Sequence, residues 1–131
     1  MATILLVDDD VDLVEMYKAV LAYRDHDVRS AYSAREARLA LETGRPDLVV
    51  LDVMMESDTA GFQLALEIQQ RYPSLPTLIL SGIHAATGVP WRFAPDEDWL
   101  PVVKFLDKPV QPVQLAVEIE RILGSNASGH A

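Results

Sequence analysis

The chain has no cysteine among its 131 residues. That excludes disulfides, thiolate nucleophiles and cysteine-ligated zinc. Long apolar runs are missing too: none reaches the length that spans a bilayer, and no basic stretch leads into an apolar segment near the start. A cytoplasmic protein with no membrane partner is the expectation. Positive charge is scarce, with 11 Lys and Arg against 20 Asp and Glu and a net charge of -9. Such a surface repels nucleic-acid phosphates, so no direct nucleic-acid partner is expected. Histidine is limited to three residues, and His84 has no second histidine nearby, which speaks against an imidazole metal site.

What is present is a globular composition: 50% apolar and 24% charged residues, in a length that suits one domain with one core. Short apolar runs alternate with helical patterns. Ile4–Val7, Leu48–Leu51 and Leu78–Leu80 are continuous apolar runs, as strands buried on both faces of a parallel sheet read. Val28–Tyr32 is more polar and suits an edge strand, and Val102–Leu106 is a fifth candidate. Leu13, Met16, Tyr17, Val20 and Leu21 form one apolar stripe at helical spacing. Ser33 with Glu36 makes a capping box, and Gly44 and Pro46 end the helix that follows. A third helix is predicted over about 62–72, and a last one from Pro112, with Leu115, Ile119, Ile122 and Leu123 on one face. The domain is expected to span 1–123, with 124–131 ("GSNASGHA") as a flexible polar tail.

Alternating strands and helices imply an α/β fold with a parallel sheet. A chain that starts mid-sheet and reverses direction once gives the strand order 2-1-3-4-5, with a cleft beyond the carboxyl ends of strands one and three. Strand one runs into Asp8 and Asp9, and strand three ends at Asp52. Three carboxylates from distant parts of the chain are thus predicted to meet in one crevice. Oxygen-only donors of this kind suit a hard cation, Mg²⁺ or Mn²⁺. Asp10 and Asp12 read differently, as a helix cap and a solvated first turn. Ser81 follows strand four, and Lys108-Pro109 follows strand five. A hydroxyl and an ammonium on the same sheet edge are what a phosphoryl group needs beside a divalent cation.

The set Asp8-Asp9, Asp52, Ser81 and Lys108-Pro109 resembles the receiver domain of two-component response regulators, over roughly residues 3–123. The resemblance implies that Asp52 is the phosphoacceptor, served by a sensor histidine kinase or phosphotransfer protein. It implies Mg²⁺ bound by Asp9 and Asp52, by Asp8 mostly through water, and by the main-chain carbonyl of Met54. Ser81 would bind a phosphoryl oxygen, Lys108 would pair with the acceptor and then the phosphate, and Phe105 matches the aromatic switch. Pro109 becomes the candidate cis-proline. A homodimer formed on phosphorylation is a further implied partner. The chain carries no output domain, so it reads as a single-domain regulator acting on another protein, or as a receiver excised from a longer one.

Two departures border the site. Glu56 stands where the family usually has Pro, and Gly61 lies nine rather than eight residues after the acceptor. The segment from Ser81 to Lys108 is longer than usual and contains Pro90, Pro95 and Pro101, which oppose a regular fourth crossover helix. A shortened helix or a loop is expected there, with Trp91, Phe93 and Trp99 covering the core. Met54 and Ile83, apolar residues beside the expected path of a hydrolytic water, imply slow loss of the phosphoryl group unless Glu56 positions that water. A rival reading takes "VDDDV" as the nucleophile motif of a haloacid-dehalogenase-like phosphatase, with Asp8 as nucleophile and Asp10 as acid/base. It leaves Asp52 without a role and lacks the acidic pair that family needs after its lysine. A flavodoxin-like FMN site fits the fold, but three aspartates would repel its phosphate.

Overall fold

The structure is a computed structural model that describes residues 2–52, 60–81, 103–107 and 109–128, with backbone alone at 60, 81, 103, 107 and 125–128. Its elements, in chain order, are β1 (Thr3–Val7), α1 (Val11–Tyr23), β2 (Asp27–Ala31), α2 (Ala34–Thr43), β3 (Leu48–Asp52), α3 (Ala60–Arg71), β4 (Thr77–Ser81), β5 (Val103–Asp107) and α4 (Pro112–Ser128). The five strands form one parallel sheet in the order β2-β1-β3-β4-β5, as the alternation of the sequence predicts. The crossover between β4 and β5, on which the shortened or missing helix was expected, lies outside the described residues.

The apolar runs are continuous because both faces of the central strands are covered. Ile4 and Leu6 of β1 with Leu48 and Val50 of β3 pack against Val14, Tyr17 and Leu21 of α1 and Leu115, Ala116 and Ile119 of α4. The alternate residues, Leu5, Val7, Val49 and Leu51, pack against Ala37 and Leu41 of α2 and Phe62, Ala65 and Ile68 of α3. Period-two alternation sends neighbours in a strand to opposite layers, so a strand covered twice has no polar position to offer.

The helix ends follow local chemistry. Asp10 caps α1, its carboxylate accepting from the Leu13 amide at 3.1 Å. Ser33 caps α2 by accepting from the Glu36 amide at 3.1 Å, and the Glu36 carboxylate reaches back to the Tyr32 amide, one residue before the cap. α1 closes without glycine: the His26 amide donates to Leu21 and the Asp25 amide to Ala22, with Asp25 at φ 69. That is a Schellman closure in which an aspartate occupies the left-handed position glycine normally takes.

Two helix expectations change. Met16 is 53% exposed, while Val14 is buried. The buried stripe is 14, 17 and 21, flanked by Leu13 and Val20, so the face turned to the sheet is rotated away from Met16. α4 runs on to Ser128 rather than ending at 123. Gly124 lowers helix propensity by about 1 kcal/mol relative to alanine but removes no hydrogen bond, and no proline follows to stop the helix.

Helix α4 is tied to the end of α1 by charge. Arg24 donates to both carboxylate oxygens of Glu120, at 2.8 and 2.6 Å, and the largely buried His26 ring lies 3.0 Å from the same carboxylate. The Arg24 hydrogen bonds hold the Glu120 carboxyl down to about 2. Because the folded value lies below the ordinary carboxylate value of 4.5, this stabilisation is complete above about 4.5 and is lost as pH falls through about 2. Glu120→Gln is therefore expected to cost about 1 kcal/mol at pH 7, a value reduced for partial exposure. The cost should vanish toward pH 2. Thermal unfolding of both proteins between pH 7 and 2 checks this, and a gap that persists at the acid end refutes it.

Candidate functional site

Val7 and Leu51 are register partners on β1 and β3. The next residues along these two strands are Asp8 and Asp52, on neighbouring chains spaced about 4.8 Å apart. This is the place where the strand order reverses, β2 lying to one side of β1 and β3 to the other, and where open α/β sheets bind ligands. Asp8 and Asp52 are each only 4% exposed. Burying a carboxylate is costly in proportion to the hydration it loses, and two of them together also repel. A fold that places both at one strand edge is spending stability on a site.

Asp8 is locally braced. One of its carboxylate oxygens accepts from the Asp10 amide at 3.0 Å, and its own amide donates to Ala31 of β2. The turn it makes delivers Asp10 to its capping position, so the cap read from the sequence and the buried acid belong to one structure. Asp9, between them, is exposed. Among the described residues no three Asp, Glu or His side chains form a group able to hold a metal ion. The acids stand as two buried groups on adjacent strand ends and one exposed neighbour.

The other expected residues are placed as follows. β4 ends at Ser81, which pairs with Asp107 at the end of β5, so the chain position before Lys108 lies on the same sheet edge as Asp8 and Asp52. Phe105 pairs in register with Ile79 and is half-buried against the α2–α3 side of the sheet, next to the layer that includes Leu51 and Val7. Pro109 is exposed and lies in the short connection to α4. The Ser81 hydroxyl, Lys108, Met54, Glu56, Ile83 and the aromatic residues Trp91, Phe93 and Trp99 lie outside the described residues.

The donor set suits Mg²⁺ in kind: it is all oxygen, it contains buried carboxylates, and Mg²⁺ needs only one or two carboxylates because it keeps waters and phosphate oxygens. One polar contact beside the site was not read from the sequence. The Tyr17 hydroxyl donates to the main-chain carbonyl of Val110 at 2.8 Å, with both residues buried. The available signal was a tyrosine in a stripe otherwise made of aliphatic side chains, since a buried phenol needs an acceptor.

Comparison with known proteins follows the same lines. Residues 4–120 match the family profile described as the response regulator receiver domain. The transcriptional regulatory protein YvrH of Bacillus subtilis is 34% identical over 121 residues, covering 90% of this chain and 47% of its own length. The crystal structure of NtrX from Brucella abortus with ADP superimposes with a TM-score of 0.81 at 28% identity, covering 98% of this chain and 28% of that one. A CheY-like receiver domain protein from Methanospirillum hungatei has the same fold, with a TM-score of 0.79 at 22% identity and 98% of each chain covered. The chain spans less than half the length of the curated relatives it matches first. Among the described residues no helix is long and apolar enough to cross a membrane.

Proposed function

The chain belongs to the response regulator receiver family, and from that premise we propose that Asp52 accepts a phosphoryl group from a phosphohistidine and that the resulting change acts on a partner protein. The observation that carries this reading is the buried placement of Asp52 at the strand edge it shares with Asp8. The donor is a sensor histidine kinase or a phosphotransfer protein, inside the cell where such kinases present their phosphohistidine.

In the transfer, an Asp52 carboxylate oxygen forms a bond to phosphorus as the bond from phosphorus to the histidine nitrogen breaks. The imidazole keeps the electron pair and regains neutrality by exchanging protons with solvent. Asp52 becomes an acyl phosphate. Mg²⁺, held by Asp9, Asp52 and the Met54 carbonyl and by Asp8 through water, would supply positive charge to the phosphoryl oxygens. Lys108 adds a second positive charge, and the Ser81 hydroxyl donates to a phosphoryl oxygen. Phe105 follows Ser81 inward, which converts the added charge into a changed surface. The protein completes one transfer on itself and turns over no external substrate.

The test is incubation with acetyl phosphate and Mg²⁺, followed by intact mass and peptide mapping. One hydroxylamine-labile phosphoryl group at Asp52 is expected. A label at Asp8 would instead establish the dehalogenase-type chemistry. Mg²⁺ binding should also stabilise the fold, by about 2.7 kcal/mol at a hundredfold excess over Kd. Asp9→Ala is expected to lose most of that gain in a thermal-shift titration, and an unchanged gain removes Asp9 from the ligand set.

A second reading concerns the whole protein. The relatives are transcriptional regulatory proteins more than twice the length matched here. A receiver spanning 1–123 that reports to a transcriptional output, on the same polypeptide or on a partner, fits that comparison. Size determination of the native protein from cells separates the two arrangements.

A further inference from the structure

We propose that Tyr17 is a positioning residue for phosphoryl transfer, its buried hydroxyl holding the connection that carries Lys108. The inference rests on the acceptor reading above. Tyr17 is 3% exposed and sits in the α1 stripe between Val14 and Leu21, where an aliphatic side chain or phenylalanine would fill the same layer. A hydroxyl in that position costs stability unless it is bonded. Its partner is the Val110 carbonyl, 2.8 Å away and 93 residues along the chain.

The anchored segment is short. β5 ends at Asp107 and α4 begins at Pro112, which leaves residues 108–111 between them. Val110 is also buried, in the layer with Leu115 and Ala116. At the far side, the Gln111 carbonyl accepts from the Leu115 amide, the first bond of the helix. Lys108 stands two residues before the anchored carbonyl. A lysine side chain has many rotamers, so a fixed backbone on the connection that carries it narrows the positions open to its charge.

Helix α1 makes the same contact serve both halves of the site. Its cap, Asp10, donates its amide to Asp8, and Tyr17 lies two turns further on. One rigid element thus spaces the acidic strand end from the lysine-bearing connection. Tyr17→Phe keeps the ring in the core and removes only the donor.

The experiment follows acetyl phosphate labelling of Asp52 with saturating Mg²⁺, in which acetate leaves as the bond from Asp52 to phosphorus forms. Tyr17→Phe is expected to react about three- to tenfold more slowly than the native chain. In a Lys108→Met background the same change should slow the reaction less than about twofold, because the group it positions is gone. Ile68→Val, a buried change on the other face of the sheet, should keep the native rate, and hydrogen exchange in Tyr17→Phe should rise over residues 108–112. A native rate in Tyr17→Phe overturns the inference. So does equal slowing with or without Lys108, or equal slowing in Ile68→Val. A native chain that takes no label at Asp52 overturns the acceptor reading and this inference with it, whereas a labelled native chain with an unaffected Tyr17→Phe overturns this inference alone.

Discussion

Asp52→Asn is expected to take up no phosphoryl group and, without divalent cation, to unfold at a higher temperature than the native chain. The first effect follows from chemistry: an amide has no anionic oxygen to attack phosphorus. The second follows from burial. Asp8 and Asp52 are both 4% exposed at adjacent strand ends. Two carboxylates buried on adjacent strand ends disfavour each other's charged form. Asparagine keeps the shape and removes one charge. Some attraction to nearby donors is lost with it, so a net gain of about 1 kcal/mol is expected, or roughly 3–5 °C in Tm for a domain of this size. Mg²⁺ should then stabilise the variant less than the native chain, which reverses the order of Tm values as the cation is added. Phosphoryl uptake and thermal scans with and without Mg²⁺ measure both effects. A variant that still labels elsewhere in the acid cluster, or that melts below the native chain, contradicts the account.

Leu21→Ala is expected to remove a large part of the total stability. Leu21 is fully buried, in the layer with Ile4, Leu48 and Ile119 that joins α1, α4 and the sheet. Truncation loses the transfer free energy of the side chain and leaves a cavity, together about 2–5 kcal/mol. Domains of this kind hold about 5–15 kcal/mol in all. Urea unfolding should show a lower midpoint with an unchanged slope. Met16→Ala, on the same helix but 53% exposed, should change stability by no more than about 0.5 kcal/mol. Equal losses at the two positions would refute the observed rotation of α1.

That pair of residues also marks where sequence reading succeeds and stops. The strands were legible because the stretch of a strand covered on both faces is apolar, and the runs Ile4–Val7, Leu48–Leu51 and Leu78–Leu80 are. The acidic edge was legible because Asp8 and Asp52 each end such a run, and topology alone brings those ends together. The rotation of α1 was not. Leu13, Val14, Met16, Tyr17, Val20 and Leu21 supply apolar residues over more than one stripe, and the choice among stripes is made by packing on the sheet, not by spacing. The end of α1 was equally silent, since Asp25 takes a conformation that glycine would have announced. Tyr17 with Val110 and Arg24 with Glu120 are single polar contacts between residues 93 and 96 positions apart, and no local pattern encodes them.

Those same separations set an order on synthesis. A ribosome extends the chain at about 5–20 residues per second, so β1 and α1 wait several seconds for their last partners. Until Val110 and Glu120 leave the exit tunnel, Tyr17 has no acceptor and Arg24 no counter-charge, and the inner face of α1 lacks Leu115 and Ile119. The acidic turn at Asp8 is translated well before the residues that secure the helix bracing it, since Tyr17 and Arg24 find their partners 93 and 96 positions later. A nascent or truncated chain that ends short of α4 therefore leaves the inner face of α1 without the cover of Leu115, Ala116 and Ile119.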